Sequence, residues 1–274
     1  MPEHNSESLH IIAQRLRARA VKMIHKSRVS HLGSCLSMAD LLAALYWYAL
    51  RINPSDPVWS GRDRFFLSKG HGAAILYAAL AEQGFFPIEE LDQYCQSGSR
   101  LTGHVNSGVP GVEVSTGSLG HALPIACGVA LAGKREGASF RNFVLLSDGE
   151  LDEGSNWEAI LFAPQHRLDN LIVIVDYNKI QSFGRTASVL DLDPLAHKFE
   201  SFRWAVREID GHNMEEIVEA IGAVPFESGR PSAIIAHTVK GKGVAAMEDQ
   251  LAWHYKSPSD EQLTAALKEL GVEL

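Results

Sequence analysis

Two side chains with hard oxygen donors, Asp148 and Asn178, follow apolar runs of strand type, FVLLS and LIVIVDY, thirty positions apart. Asp148 is followed by Gly149, and Asn178 by Lys179 and Ile180. A small hard cation takes oxygen ligands in an octahedron and keeps phosphate oxygens among them. The Asp148 carboxylate, the Asn178 amide oxygen and a backbone carbonyl near Ile180 can supply the protein's share of such a shell. Gly149 lets the backbone approach the phosphates closely. Taken singly, Asp148-Gly149 reads as a turn and Asn178 as a strand-end cap. Together, at the tips of two strands, they favour a divalent cation held on a diphosphate.

The elements that must carry this pair are legible from periodicity. Leu9, Ile12, Leu16, Ala20 and Ile24 recur at helical spacing, which predicts an amphipathic helix over about 7–27. Ser37 is read as the N-cap of a helix carrying Leu41, Leu42 and Leu45. RFFLS, 64–68, reads as a short strand ending at Lys69-Gly70-His71-Gly72, with an alanine-rich helix behind it. Residues 97–118 are rich in Gly, Ser, Thr and Val around His104 and read as a long functional loop. Then follow a helix over 119–134, a strand over 143–147, a helix over 154–163 and a strand over 171–176. After a loop come a strand over 204–209, a helix over 213–223, a strand over 232–238 and a polar helix over 259–270. Strands alternating with helices imply an α/β fold with a parallel sheet and helices on both faces. In such sheets ligands sit beyond the carboxyl ends of the strands, where Asp148 and Asn178 fall. The 274 residues read as one domain, 1–274, without repeat, linker or low-complexity segment.

Composition narrows the function. Apolar residues make up 46% and charged residues 21%, and the net charge of −8 disfavours nucleic acid, which needs a basic face. The apolar stretches at 38–50 and 121–133 are too short to span a bilayer and read as buried helices. Residues 1–10 are polar and no secretory leader follows, so the cytoplasm is the expected location and no membrane partner is expected. Cys35, Cys95 and Cys127 are odd in number and far apart, which reads as reduced, buried thiols. G-x-G-x-x-G after a strand, G-x-x-x-x-G-K-[ST], H-E-x-x-H and G-x-S-x-G are all absent, so nucleotide-binding, zinc-protease and serine-hydrolase readings lose their simplest support.

Longer segments carry a family resemblance. Ser147-Asp148-Gly149 with the downstream Asn178-Lys179-Ile180 resembles the thiamine diphosphate motif. Ser30-His31-Leu32-Gly33 with Leu36–Asp40 (LSMAD), DRFFLSKGHG at 63–72 and GHVNSGVPGVEVSTGSLG at 103–120 are similar, in order and spacing, to segments of the N-terminal cofactor-binding region of transketolase. The resemblance runs through nearly the whole chain. It implies the transketolase N-terminal fold, thiamine diphosphate as cofactor and Mg2+ (or Ca2+ or Mn2+) as the cation on Asp148, Asn178 and Ile180.

The same resemblance implies roles for four of the twelve histidines. His31 and His104 would face the substrate, His71 would lie near the diphosphate and thiazolium, and His254 would touch both diphosphate and sugar. Imidazole suits these tasks because it donates and accepts near neutral pH. Gly117, Ser118 and Leu119 match the loop that approaches the cofactor, with Leu119 against its rings; the segment is also an ordinary helix start and anion site. Glu153 and Glu158 match acidic residues of the family's subunit contact, and equally suit a solvated helix face. Lys240 and Lys242 sit near the same strand end, either meeting phosphate or lying on the surface. Departures from the family pattern occur at Ser147, Val105, Asn106, His121, Ala122 and Tyr255, and those at 105, 106 and 121 fall on the expected substrate rim.

In the family a second domain supplies a glutamate to the cofactor's aminopyrimidine, and nothing here resembles that domain. The chain is therefore expected to be the N-terminal subunit of a split transketolase. It would be active only with a separate C-terminal subunit, in an α2β2 heterotetramer, on sugar phosphate substrates. Two alternatives are weighed. The α subunit of a 2-oxo acid dehydrogenase E1 shares the diphosphate motif but lacks the early histidine blocks and usually follows its Asn with a second Asn. A non-catalytic subunit retaining the fold is opposed by the intact His31, His71, Asp148 and Asn178.

Overall fold

The structure, a computed structural model, describes residues 5–272; residues 1–4 and 273–274 of the expected 1–274 domain lie outside the described residues. Five strands form one parallel sheet: β1 (Arg64–Leu67), β2 (Asn142–Ser147), β3 (Leu171–Tyr177), β6 (Ala205–Asp210) and β7 (Ser232–His237). Their spatial order is β1-β2-β3-β7-β6. A two-stranded hairpin, β4 (Ile180–Gln181) with β5 (Gly184–Arg185), follows β3. The period-2 rule divides each strand's side chains between two cores. Phe143, Leu145, Ile172, Ile174 and Ile234 face one core, and Val144, Leu146, Val173, Val175 and Ile235 the other. Burial on both faces explains the near-continuous apolar runs of β2 and β3.

Helices cover both faces. The first core is closed by α1 (Ser6–Ser27), α2 (Leu32–Ser37), α3 (Ala39–Ala44), α4 (Ala73–Glu82), α9 (Met214–Gly222) and α10 (Asp260–Leu270). The second is closed by α5 (Ala122–Arg135), α6 (Gly154–Gln165) and α8 (Leu195–Ser201), with a single short turn, α7 (Thr186–Val189), beside the hairpin. Caps follow the sequence: Asn5 accepts from Ser8 N, Asn213 from Glu215 and Glu216 N, and Ser259 with Gln262 forms a capping box.

The register carries function. Ser147 lies opposite Asp176, and Tyr177 opposite His237. The next residues, Asp148, Asn178 and Thr238, therefore emerge together at the carboxyl ends of the three central strands.

Several expectations need correction. Ser37 is not an N-cap: it ends α2, its hydroxyl donates to Asp176 Oδ2 at 2.6 Å, and α3 starts at Ala39 without a side-chain cap. The expected helix there is two short helices and a π turn, Leu45–Ala49. The segment between β3 and β6, expected as a loop, holds the hairpin, α7 and α8. α5 begins at Ala122 rather than 119 and is not wholly buried, since Ile125 is 41% exposed. Cys95 is half-buried rather than buried, though all three thiols are free. Among the described residues no helix is long and apolar enough to cross a membrane.

Candidate active site

Four parallel strand tips converge on one cleft. β2 delivers Asp148, β3 delivers Asn178, the turn after β7 delivers Lys240, and the turn after β1 delivers Lys69 and His71. The cleft is also lined by Ser34, Leu119, Gly149, Ile180 and His254.

Asp148 and Asn178 are almost completely buried. Asp148 Oδ1 accepts from Gly149 N at 2.7 Å and Oδ2 accepts from Lys179 N. Lys179, whose N–H makes that second bond, has a left-handed φ of 67°. Asn178 Oδ1 accepts from Ile180 N at 3.2 Å, and its amide nitrogen donates to Asp176 Oδ2 at 3.3 Å. The Ile180 carbonyl accepts from Lys240 Nζ at 2.7 Å. One carboxylate, one amide oxygen and one backbone carbonyl make a hard-oxygen set of the kind Mg2+ takes. No cluster of three His, Cys, Asp or Glu that could hold a metal occurs among the described residues.

The charges fit a cation. Burial and the neighbouring Asp176 push the Asp148 carboxyl up to about 6, against the hydrogen bonds from Gly149 and Lys179 and the Lys240 charge. A divalent ion beside Asp148 would relieve that repulsion. Burial pulls the Lys240 ammonium down to about 8, with Asp148 opposing the shift and Lys69 adding to it.

The four histidines flank this cleft as one cluster. Ring centroids lie 4.8 Å apart for His31 and His71, 4.7 Å for His71 and His104, and 5.0 Å for His31 and His254. His31 sits at a left-handed φ of 74° in the turn before α2, and its N–H donates to the His254 carbonyl at 3.0 Å. Burial, then the other imidazoles and Lys240, lowers His31 to about 4. Burial with His104 and Lys69 lowers His71 to about 4, and burial with Lys240 and His31 lowers His254 to about 3. These three imidazoles are neutral at pH 7, able to donate at one nitrogen and accept at the other.

Close backbone approach shapes the wall. A Cβ on Gly70 would stand 2.5 Å from the Thr116 carbonyl carbon, and Gly117 has a φ of 140° with His104 against it. Leu119 lines the cleft; Gly117 and Ser118 lie just before it, with Ser118 exposed.

The sequence matches the family described as transketolase, thiamine diphosphate binding domain, over residues 8–274. It is 39% identical to one of the subunits of the apulose-4-phosphate transketolase of Phocaeicola vulgatus, over 97% of this chain and 94% of that one. The chain belongs to the transketolase family. It is 43% identical to the 6-deoxy-6-sulfo-D-fructose transketolase subunit SqwG of a Clostridium species, over 94% of each chain. Against the transketolase of Campylobacter jejuni the fold superposes with a TM-score of 0.93 at 32% identity, covering 98% of this chain and 44% of that one. Human transketolase is 40% identical over 91% of this chain, which spans 40% of its length.

Some residues that the transketolase pattern brought to notice fall elsewhere. Lys242 pairs with Glu248 at 3.5 Å, partly exposed and outside the cleft lining, whereas Lys240 is buried within it. Glu153 and Glu158 are exposed on and beside α6. Of the departures, Val105 is buried, and the Asn106 side chain donates to the Arg100 carbonyl and accepts from Gly108 N. Ser147, in place of glycine, accepts from Glu150 N at 3.2 Å and braces the turn after β2. Tyr255 reaches across to donate to the Ser182 carbonyl at 2.6 Å.

Three supporting residues take their roles only from the fold. Lys69 Nζ donates to the Ser34 carbonyl at 2.8 Å and pairs with Asp176. Asp176 is completely buried. Glu150, also buried, accepts from Ser68 Oγ at 2.5 Å, Gly120 N at 2.9 Å and Ser147 N at 3.3 Å, which ties the loop carrying Leu119 to two strand tips. The one available signal was an acidic residue inside or against an apolar strand run, where charge demands a partner.

Proposed function

We propose that this chain is the diphosphate- and cation-holding subunit of a two-chain transketolase, which moves a two-carbon glycolaldehyde unit from a ketose donor to an aldose acceptor, both as phosphates. The observation that carries the reading is the meeting of Asp148, Asn178 and Lys240 with four clustered histidines at one cleft. The full-length match to relatives named as subunits supports a separate C-terminal subunit, and we read the assembly as α2β2.

In this reading Asp148, Asn178 and the Ile180 carbonyl hold Mg2+, or Ca2+ or Mn2+, on the diphosphate of thiamine diphosphate. Gly149, His71 and the Gly117, Ser118 and Leu119 loop meet the cofactor, and Lys240 neutralises phosphate charge. When bound, the cofactor supplies the carbanion chemistry that a side chain cannot. His31 and His104 hydrogen-bond the sugar hydroxyls, and His254 bridges the diphosphate and sugar ends. Neutral imidazoles keep both a donor and an acceptor for polyol substrates. Exposed Glu153 and Glu158 are available to a partner chain.

Co-expression with the product of the adjacent reading frame, followed by a donor-ketose screen, tests the reading. Ketol transfer is expected only with both chains, thiamine diphosphate and a divalent cation. Transfer that persists in chelator, or by this chain alone, would overturn it.

A further inference from the structure

Asp176 gathers donors from four places. Lys69 Nζ, Ser37 Oγ at 2.6 Å and Asn178 Nδ2 at 3.3 Å all reach Oδ2, and Thr238 Oγ1 reaches Oδ1. The side chain is fully buried, next to the Asp148–Asn178 pair yet outside the cleft lining.

Lys69 Nζ and Ser37 Oγ donate to Asp176 Oδ2 and Thr238 Oγ1 donates to Oδ1, so both oxygens act as acceptors, whereas an amide has one donating and one accepting end. Asn178 therefore cannot turn its oxygen toward Asp176 without setting two acceptors against each other in a buried place, where such a mismatch is costly. Its nitrogen is committed to Asp176, and Oδ1 is left toward Ile180 N and the cleft.

We propose that Asp176 is a positioning residue that selects the rotamer of the Asn178 amide, so that oxygen and not nitrogen faces the cation. Lys69, Ser37 and Thr238 fix the Asp176 side chain with both oxygens accepting. This is outer-shell control of a ligand's orientation. The inference rests on the cation-site reading above and deepens it.

The test is a titration of the full chain with Mn2+ at saturating thiamine diphosphate, followed by the electron paramagnetic resonance of free Mn2+. Asp148→Ala should lose Mn2+ binding; if wild type and Asp148→Ala bind alike, the cation-site reading falls and this inference with it. Asp176→Asn should keep the fold, by melting and circular dichroism, yet weaken Mn2+ by roughly 10–100-fold. The decisive variant is Asp176→Asn with Asn178→Asp. A carboxylate at 178 presents oxygen whichever way it turns, so affinity should recover by about 10-fold or more over Asp176→Asn alone. Wild-type affinity in Asp176→Asn, or a loss that Asn178→Asp does not reverse, would overturn the positioning role while leaving the Asp148 site standing. If the unpaired Lys69 ammonium unfolds Asp176→Asn, the same comparison is made with Lys69→Met added to both variants.

Discussion

Lys240 places its Nζ 2.7 Å from the Ile180 carbonyl oxygen, so a buried ammonium is fastened to the backbone atom that closes the cation's proposed ligand set. The same Nζ is 3.2 Å from His254 Nδ1. One lysine thus links the β4 hairpin and the late histidine to the tip of β7.

That ammonium is buried, and among the described residues it has no ion-pair partner at hydrogen-bond distance, which favours ligand binding over stability. Lys240→Met should weaken thiamine diphosphate binding by roughly 10–100-fold, the worth of a charge-assisted hydrogen bond, while the melting temperature of the ligand-free chain holds or rises. Calorimetric titration beside a thermal melt reads both. Wild-type cofactor affinity in Lys240→Met would remove the lysine from the site.

The histidine cluster predicts acid sensitivity with a definite sign. His31, His71 and His254 have folded pKa values near 4, 4 and 3, below the ordinary 6.5. The unfolded chain therefore binds more protons between about pH 6.5 and 4. Their contribution to stability is complete above 6.5 and is lost as pH falls through the folded values. The urea midpoint should drop across that window, and His31→Asn with His71→Asn should flatten the drop. An unchanged slope in the double variant would contradict the neutral cluster.

The Glu150 carboxylate accepts three hydrogen bonds and donates none. Glu150→Gln puts an N–H₂ group against either Ser147 N or the pair Ser68 Oγ and Gly120 N. We expect a cost of about 1–3 kcal/mol, the penalty of an unsatisfied buried polar group, seen as a lower urea midpoint at unchanged slope. A neutral outcome would mean that the loop before α5 does not depend on this anchor.

Arg17 and Asp40 form a fully buried ion pair, and His212 Nδ1 lies 2.8 Å from Asp40 while its Nε2 accepts from Val239 N. Burial would raise the Asp40 pKa, but Arg17 and His212 bring it to about 2. Asp40→Ala leaves a buried guanidinium unpaired and should cost about 3–5 kcal/mol in chemical denaturation. Because the same network braces the turn before Lys240, cofactor affinity should fall as well.

Much of this was legible in the sequence. Runs such as LIVIVDY and SAIIAH announce two-sided burial, so the parallel α/β class and the strand tips at Asp148 and Asn178 follow from pattern. What escaped depends on tertiary context. Ser37 looks like a cap by type, but its hydroxyl serves Asp176 from across the sheet. Lysine is a surface residue by habit, and only the fold buries Lys69 and Lys240 while leaving Lys242 outside. The hairpin, α7 and α8 are too short to show a period. Asn106 departs from the family in type, yet its amide turns into its own loop.

The most direct test is equilibrium binding of thiamine diphosphate to the chain with its partner subunit present, in Mg2+ and in chelator, for wild type and Asp148→Ala. Wild type should bind in Mg2+ and lose about 100-fold or more of its affinity in chelator, and Asp148→Ala should bind weakly under both conditions. Asp148→Ala binding as tightly as wild type, with the same response to Mg2+, would contradict the account.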